Sequence, residues 1–95
     1  MSDIHAHAFL VTGTVQGVGF RAYTRHACRQ SGLTGWVRNR PDGAVEGVLQ
    51  GPEDAVHAML QLLRSGPPHA TVQTLEHKRI ETATFHSFEI LRAPV

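Results

Sequence analysis

With a single cysteine, Cys28, the chain has no means of forming an internal disulfide. Charge of one sign is equally scarce. Nine basic and eight acidic side chains give a formal net charge of +1, too little for a broad field that grips a nucleic-acid backbone or an anionic membrane. No apolar run near the N-terminus has the length of a signal peptide or a spanning helix. These absences predict a cytoplasmic protein with no nucleic-acid and no membrane partner, and they leave room for a local basic site. What is present is enough for one domain. The 95 residues can enclose one hydrophobic core and are too few for two domains with a cleft between them. An apolar share of 41% and a charged share of 18% are those of an ordinary globular domain. A single domain over residues 1–95 is expected, monomeric, fraying only at about 1–5 and 92–95.

Alternation from His7 to Val15 predicts a strand with Phe9, Val11 and Gly13 on one face and Ala8, Leu10 and Thr12 on the other. From Phe20 the period changes. Phe20, Tyr23, Ala27 and Cys28 make an apolar stripe on a helix that ends near Ser31 and Gly32, the glycine suiting a C-terminal cap. Thr34 to Asn39 and Ala44 to Gln50 are strand-like and flank the turn chemistry of Arg40-Pro41-Asp42-Gly43, which predicts a hairpin. Gly51-Pro52-Glu53-Asp54 opens a second helix, with Pro52 near its first position and two acids where the helix dipole favours them. Its stripe is Val56, Met59, Leu60 and Leu63, and it stops at Gly66-Pro67-Pro68. Thr71 to Ile80 and His86 to Leu91 supply one or two final strands. The order βαββαβ predicts a ferredoxin-like α+β sandwich: an antiparallel sheet with two helices on one face.

The junction Gly13-Thr14-Val15-Gln16-Gly17-Val18-Gly19-Phe20-Arg21 carries the most chemical information. Two glycines in three residues let the backbone curl so that successive amides converge on an anion at a helix start, where orphan donors and the positive dipole end already favour negative charge. Arg21 in the first helical turn opposes that dipole, and a bound dianion reverses the argument, because a guanidinium forks two parallel hydrogen bonds to phosphate oxygens. A surface arginine beside a tight turn is the competing reading of the loop alone. The nucleotide-type loop with lysine and a hydroxyl after its last glycine is excluded by Phe20-Arg21. Gly17-x-Gly19-x-x-Ala22 nominally fits a relaxed dinucleotide fingerprint, but a hairpin follows it instead of parallel strands, which disfavours a cofactor.

The run Gly13-x-Val15-Gln16-Gly17-Val18-Gly19-Phe20-Arg21, then Gly32-Leu33-x-Gly35-Trp36-Val37-x-Asn39 and Asp42-Gly43-x-Val45-Glu46, closely resembles the acylphosphatases. Gly51 and Gly66-Pro67-Pro68-x-Ala70 are similar to that family as well, so the resemblance covers nearly the whole chain. It implies the same βαββαβ fold and the hydrolysis of acyl phosphates to carboxylate and inorganic phosphate, with the product also expected as a competitive inhibitor. It further implies roles. Arg21 matches the phosphate-binding arginine, the loop Val15, Gln16, Gly17, Val18, Gly19, Phe20 and Arg21 the backbone cradle, and Asn39 the residue that positions water. Because a carboxylate leaving group is stable as an anion, strong general-acid help, a metal and a cofactor are not required in principle. Arg40 departs from the small hydroxyl residue that many relatives place after the asparagine, and Leu91-Arg92-Ala93-Pro94 departs from the usual ending.

Other residues give weaker signals. His5 and His7 share one face of an extended segment, but no third metal ligand follows at a recognisable spacing. Cys28 falls on the helix stripe and reads as a buried inert thiol. Arg25 and Arg29 follow Arg21 at four-residue intervals and read as a solvated face, and Trp36 as a core or sheet-face aromatic. Two rival functions use the same fold. An RNA-binding module needs exposed aromatics on two central strands, which His7, Phe9 and Val11 or Thr34, Trp36 and Arg38 do not supply in the required pattern. A carbamoyl-phosphate-handling domain, as in hydrogenase-maturation proteins, belongs to much longer chains.

Overall fold

The computed structural model describes residues 3–93. Its elements run β1 (Ile4–Thr14), α1 (Phe20–Gln30), β2 (Thr34–Asn39), β3 (Val45–Pro52), α2 (Glu53–Ser65), β4 (Thr71–Ile80) and β5 (Phe88–Ile90). The sheet order is β4-β1-β3-β2-β5. The first four strands pair antiparallel with the ferredoxin-like connectivity. The sheet as a whole is mixed rather than antiparallel, because β5 lies parallel to β2 with Val37 opposite Ile90. The cause is topological. β4 stops at the end of the sheet where β2 starts, so a short crossing along that end delivers the chain to the open edge of β2 in the same direction. The Gln50 side chain holds the crossing there: its Nε2 donates to the Ala83 carbonyl at 2.7 Å and its Oε1 accepts from the Ala83 amide at 2.9 Å.

Both helices cover one face. Phe9 and Val11 of β1, Val37 of β2 and Val45 and Leu49 of β3 meet Phe20 and Cys28 of α1 and Val56, Met59, Leu60 and Leu63 of α2 in one core. The stripe of α2 is the one its spacing predicts. That of α1 is rotated: Phe20, Thr24 and Cys28 are buried, while Tyr23 and Ala27 pack at its edge. Thr24 is tolerated in the core because its hydroxyl donates to the Phe20 carbonyl one turn back, at 2.8 Å, leaving its methyl as the packing group. Ile4 and His5, expected to fray, instead begin β1, in register with Pro52 and Gly51 at the end of β3. Residues 1–2 and 94–95 of the expected frayed ends lie outside the described residues.

The other sheet face stays open and polar. Arg38 pairs with Glu46 at 2.7 Å and its guanidinium lies 4.9 Å above the Trp36 ring.

At the far end of β1, histidines enter the helix-covered layer. His5 and His7 are nearly buried. The Nδ1 atoms of His7 and His77 lie 3.1 Å apart, a spacing that accommodates one shared proton and not two. His57 of α2 meets His7 edge-on at 5.7 Å, and the Glu53 carboxylate lies 3.4 Å from His5 and 3.9 Å from His57. Burial, then the facing His77, His57, His5 and Arg79, hold the His7 pKa below its ordinary value of 6.5. The folded protein therefore resists a proton that the unfolded chain accepts. This contribution to stability is fully present above the unfolded value and is lost as pH falls through it toward the lower folded value. Urea midpoints are expected to drop between about pH 7.5 and about pH 5, and His7→Gln to flatten that slope. A variant slope equal to the wild-type slope would remove His7 from the account.

Candidate active site

Two core residues, Val15 and Phe20, each 1% exposed, anchor the ends of the loop between β1 and α1. The chain between them turns outward and back through Gly17 at φ 75° and Gly19 at φ 79°. A Cβ at either glycine would touch nothing within 4 Å, so glycine is needed for the backbone angle and not for room. For other residues such angles cost about 1–2 kcal/mol each.

Gly19 caps α1 without a side-chain bond, and no acidic residue occupies the first turn. The first helical bond runs from the Tyr23 amide to the Gly19 carbonyl at 2.9 Å. The amides of Phe20, Arg21 and Ala22 therefore lack helical acceptors, and the positive end of the helix is not neutralised. These residues, with Val15, Gly17, Gly19 and Ile90, line a cavity of about 180 Å³. Arg21 is half-buried there. Among the described residues it has no salt-bridge partner, whereas Arg38 and Arg40 pair with Glu46 and Asp42. An uncapped helix start and an unpaired guanidinium thus share one small cavity, an arrangement suited to a dianion.

Asn39 ends β2 on the helix-facing side, two residues beyond the buried Val37. It does not line that cavity. Among the described residues its buried Oδ1 has no hydrogen-bond partner, and such an acceptor costs about 1–3 kcal/mol when left alone. Arg40, beside it, is turned away toward the hairpin: its guanidinium reaches Asp42 at 3.0 Å and Glu46 at 3.4 Å. The Ala44 amide, and then Arg40, hold the Asp42 carboxyl below the usual carboxylate range. Arg40 is therefore a brace of the turn.

Two contributors escape the sequence pattern. The cradle reading uses only the backbone of Gln16, yet its side chain bonds two carbonyls of the β2–β3 turn, Arg40 at 2.8 Å and Ala44 at 2.9 Å. Ile90 reaches the cavity because β5 runs parallel beside β2. The core role of Val15 and Phe20 leaves only their backbone for the cradle, while Val18 is partly buried against the core.

Chain-wide similarity decides what this geometry belongs to. The family model described as acylphosphatase matches residues 7–90, a span that holds the loop, Asn39 and Ile90. The chain belongs to the acylphosphatase family. An acylphosphatase of Nostoc sp. is 49% identical over 89 residues, covering 94% of this chain and 87% of its own. An acylphosphatase of Gloeobacter violaceus is 46% identical over 90 residues, covering 95% and 96%. The solved structure of an acylphosphatase from Coxiella burnetii superposes with a TM-score of 0.91 at 32% identity, covering 94% of both chains. The family makes this chain a hydrolase with a small-molecule acyl phosphate as substrate. The fold reading stands, and the acylphosphatase architecture counts against the RNA-binding alternative, since Phe9 is buried in the core and Trp36 lies beneath Arg38.

Cys28 does not line the cavity around Arg21. It is fully buried, and burial pushes its thiol up to about 12. The native protein is therefore expected to leave a thiol reagent unreacted at neutral pH over hours, with stoichiometric reaction only in denaturant. Rapid labelling of the folded protein would contradict this.

Proposed function

We propose that this acylphosphatase works as a monomer in the cytoplasm, without metal or other cofactor, by positioning and electrostatics alone. Backbone amides of residues 16–21 and the Arg21 guanidinium hold the phosphate group, and Asn39 orients the attacking water. The water oxygen bonds to phosphorus as the bond from phosphorus to the acyl oxygen breaks. The carboxylate leaves as a stable anion, so no strong acid is needed. The proton of the water passes to a phosphate oxygen of the substrate, a reading supported by the lack of a His, Asp or Glu among the residues that line the cavity around Arg21. Fixed donors around the equatorial oxygens supply the charge stabilisation.

The observation that carries the reading is the convergence of orphan amides and an unpaired Arg21 on one cavity. The partnerless Oδ1 of Asn39 supports the water-positioning role, because a water O–H is a donor it can accept. A single buried thiol suits a reducing compartment, and among the described residues no helix is long and apolar enough to cross a membrane.

Hydrolysis of benzoyl phosphate with and without a chelator tests the scheme. Equal rates are expected, with inorganic phosphate inhibiting competitively. A rate lost to the chelator and restored by a divalent cation would overturn it, as would a rate that follows the ionisation of one enzyme histidine.

A further inference from the structure

The phosphate loop and the strand that carries Asn39 are separate pieces of backbone, and hydrolysis requires them in fixed register. In-line attack needs the water about 3–3.5 Å from phosphorus, and a misplacement of about 1 Å can cost 10²-fold in rate. One side chain spans the gap. Both hydrogens of the Gln16 Nε2 are donated across it, to the Arg40 carbonyl at 2.8 Å and the Ala44 carbonyl at 2.9 Å. These two carbonyls are also the acceptors that close the turn itself, from the Gly43 amide at 3.2 Å and the Arg40 amide at 2.8 Å. Arg40 adjoins Asn39. Gln16 thus ties the first amide of the cradle to the residue next to the proposed water-positioning group.

We propose that the Gln16 side chain is a positioning residue that sets the distance between the bound phosphate and the water held by Asn39. The proposal rests on the assignment of Arg21 and Asn39 given above. The residue type fits the task. A primary amide offers two donors to two carbonyls without bringing charge beside Arg21 and the phosphate, whereas a carboxylate would face both carbonyls with acceptors only.

Turnover of benzoyl phosphate and inhibition by inorganic phosphate are measured for Gln16→Met, Asn39→Ala and the double variant, with circular dichroism to confirm folding. Gln16→Met is expected to lower kcat about 10-fold to 100-fold while the inhibition constant for phosphate stays within about threefold, because Arg21 and the amides remain. The double variant is expected to be no slower than Asn39→Ala, since the two residues act through one water. Wild-type kcat in folded Gln16→Met overturns the proposal. So do losses that multiply in the double variant, or a phosphate constant that rises as far as kcat falls. If Asn39→Ala alone keeps wild-type turnover, the underlying assignment fails first and takes this role with it. Gln16→Glu gives a second readout that does not depend on the stability of the methionine variant. Relative to wild type at the same pH, its deficit is expected to shrink as pH falls and the carboxyl regains one donor. A deficit that ignores pH overturns the proposal.

Discussion

Arg21→Gln is expected to lower kcat/KM for benzoyl phosphate by about 10² to 10³ or more, and to weaken inhibition by inorganic phosphate in parallel. The lower bound is the cost of removing one preorganised donor from an oxyanion site. The larger figure follows from charge and reach: glutamine ends two bonds short of the guanidinium fork and carries no positive charge, and the transferring phosphoryl group is anionic throughout the reaction. Arg21 lies at the uncapped start of α1, in a cavity with no acidic side chain in the first turn. Nothing else among the cavity-lining residues carries charge, so no neighbour can substitute for it. Stability should move the opposite way. A cation in the first turn opposes the helix dipole by about 0.3–1 kcal/mol, so the glutamine variant is expected to be slightly more resistant to urea in the absence of phosphate, and to gain less than wild type when phosphate is added. Unchanged kcat/KM would remove Arg21 from the site. Loss of activity together with loss of folding would make the residue structural.

The same balance of local pattern and distant contact explains what the sequence discloses. The stripe Val56, Met59, Leu60 and Leu63 is legible because four apolar residues at helical spacing have one way to be buried together. Thr24 is not, because its polarity is cancelled only by a carbonyl of the same helix, a bond that hydropathy does not register. The parallel placement of β5 is also invisible in the chain. Three residues, Phe88 to Ile90, carry no sign of direction, and the direction is set by where β4 ends and by the grip of Gln50 on Ala83. The loop is legible as a turn from Gly17 and Gly19, and both have positive φ angles. Its chemistry became readable only through the linked motifs, since an arginine beside two glycines has an ordinary surface reading as well. The side-chain role of Gln16 depends on two carbonyls 24 and 28 residues away, and no local pattern encodes them.

The separation of the two halves of the site is what Asn39→Ala measures. The substitution is expected to lower kcat by about 10²-fold or more, with the inhibition constant for inorganic phosphate nearly unchanged. Asn39 does not line the cavity that holds Arg21, so its removal leaves the amides and the guanidinium in place. What it removes is a buried amide oxygen without a partner among the described residues, at the end of β2 that Gln16 ties to the loop through the neighbouring Arg40. A residue that bound the phosphate itself would change inhibition and turnover together, and that result would reassign Asn39 to the cradle. The stability readout separates a third possibility. Alanine eliminates an acceptor that costs about 1–3 kcal/mol when unsatisfied, so a purely structural view predicts no loss, or a gain, in urea resistance and no loss of rate. A protein that becomes no less stable yet far slower, while still binding phosphate, would show that the unpaired amide oxygen is kept for the water it directs, because neither packing nor anion affinity would then account for retaining it.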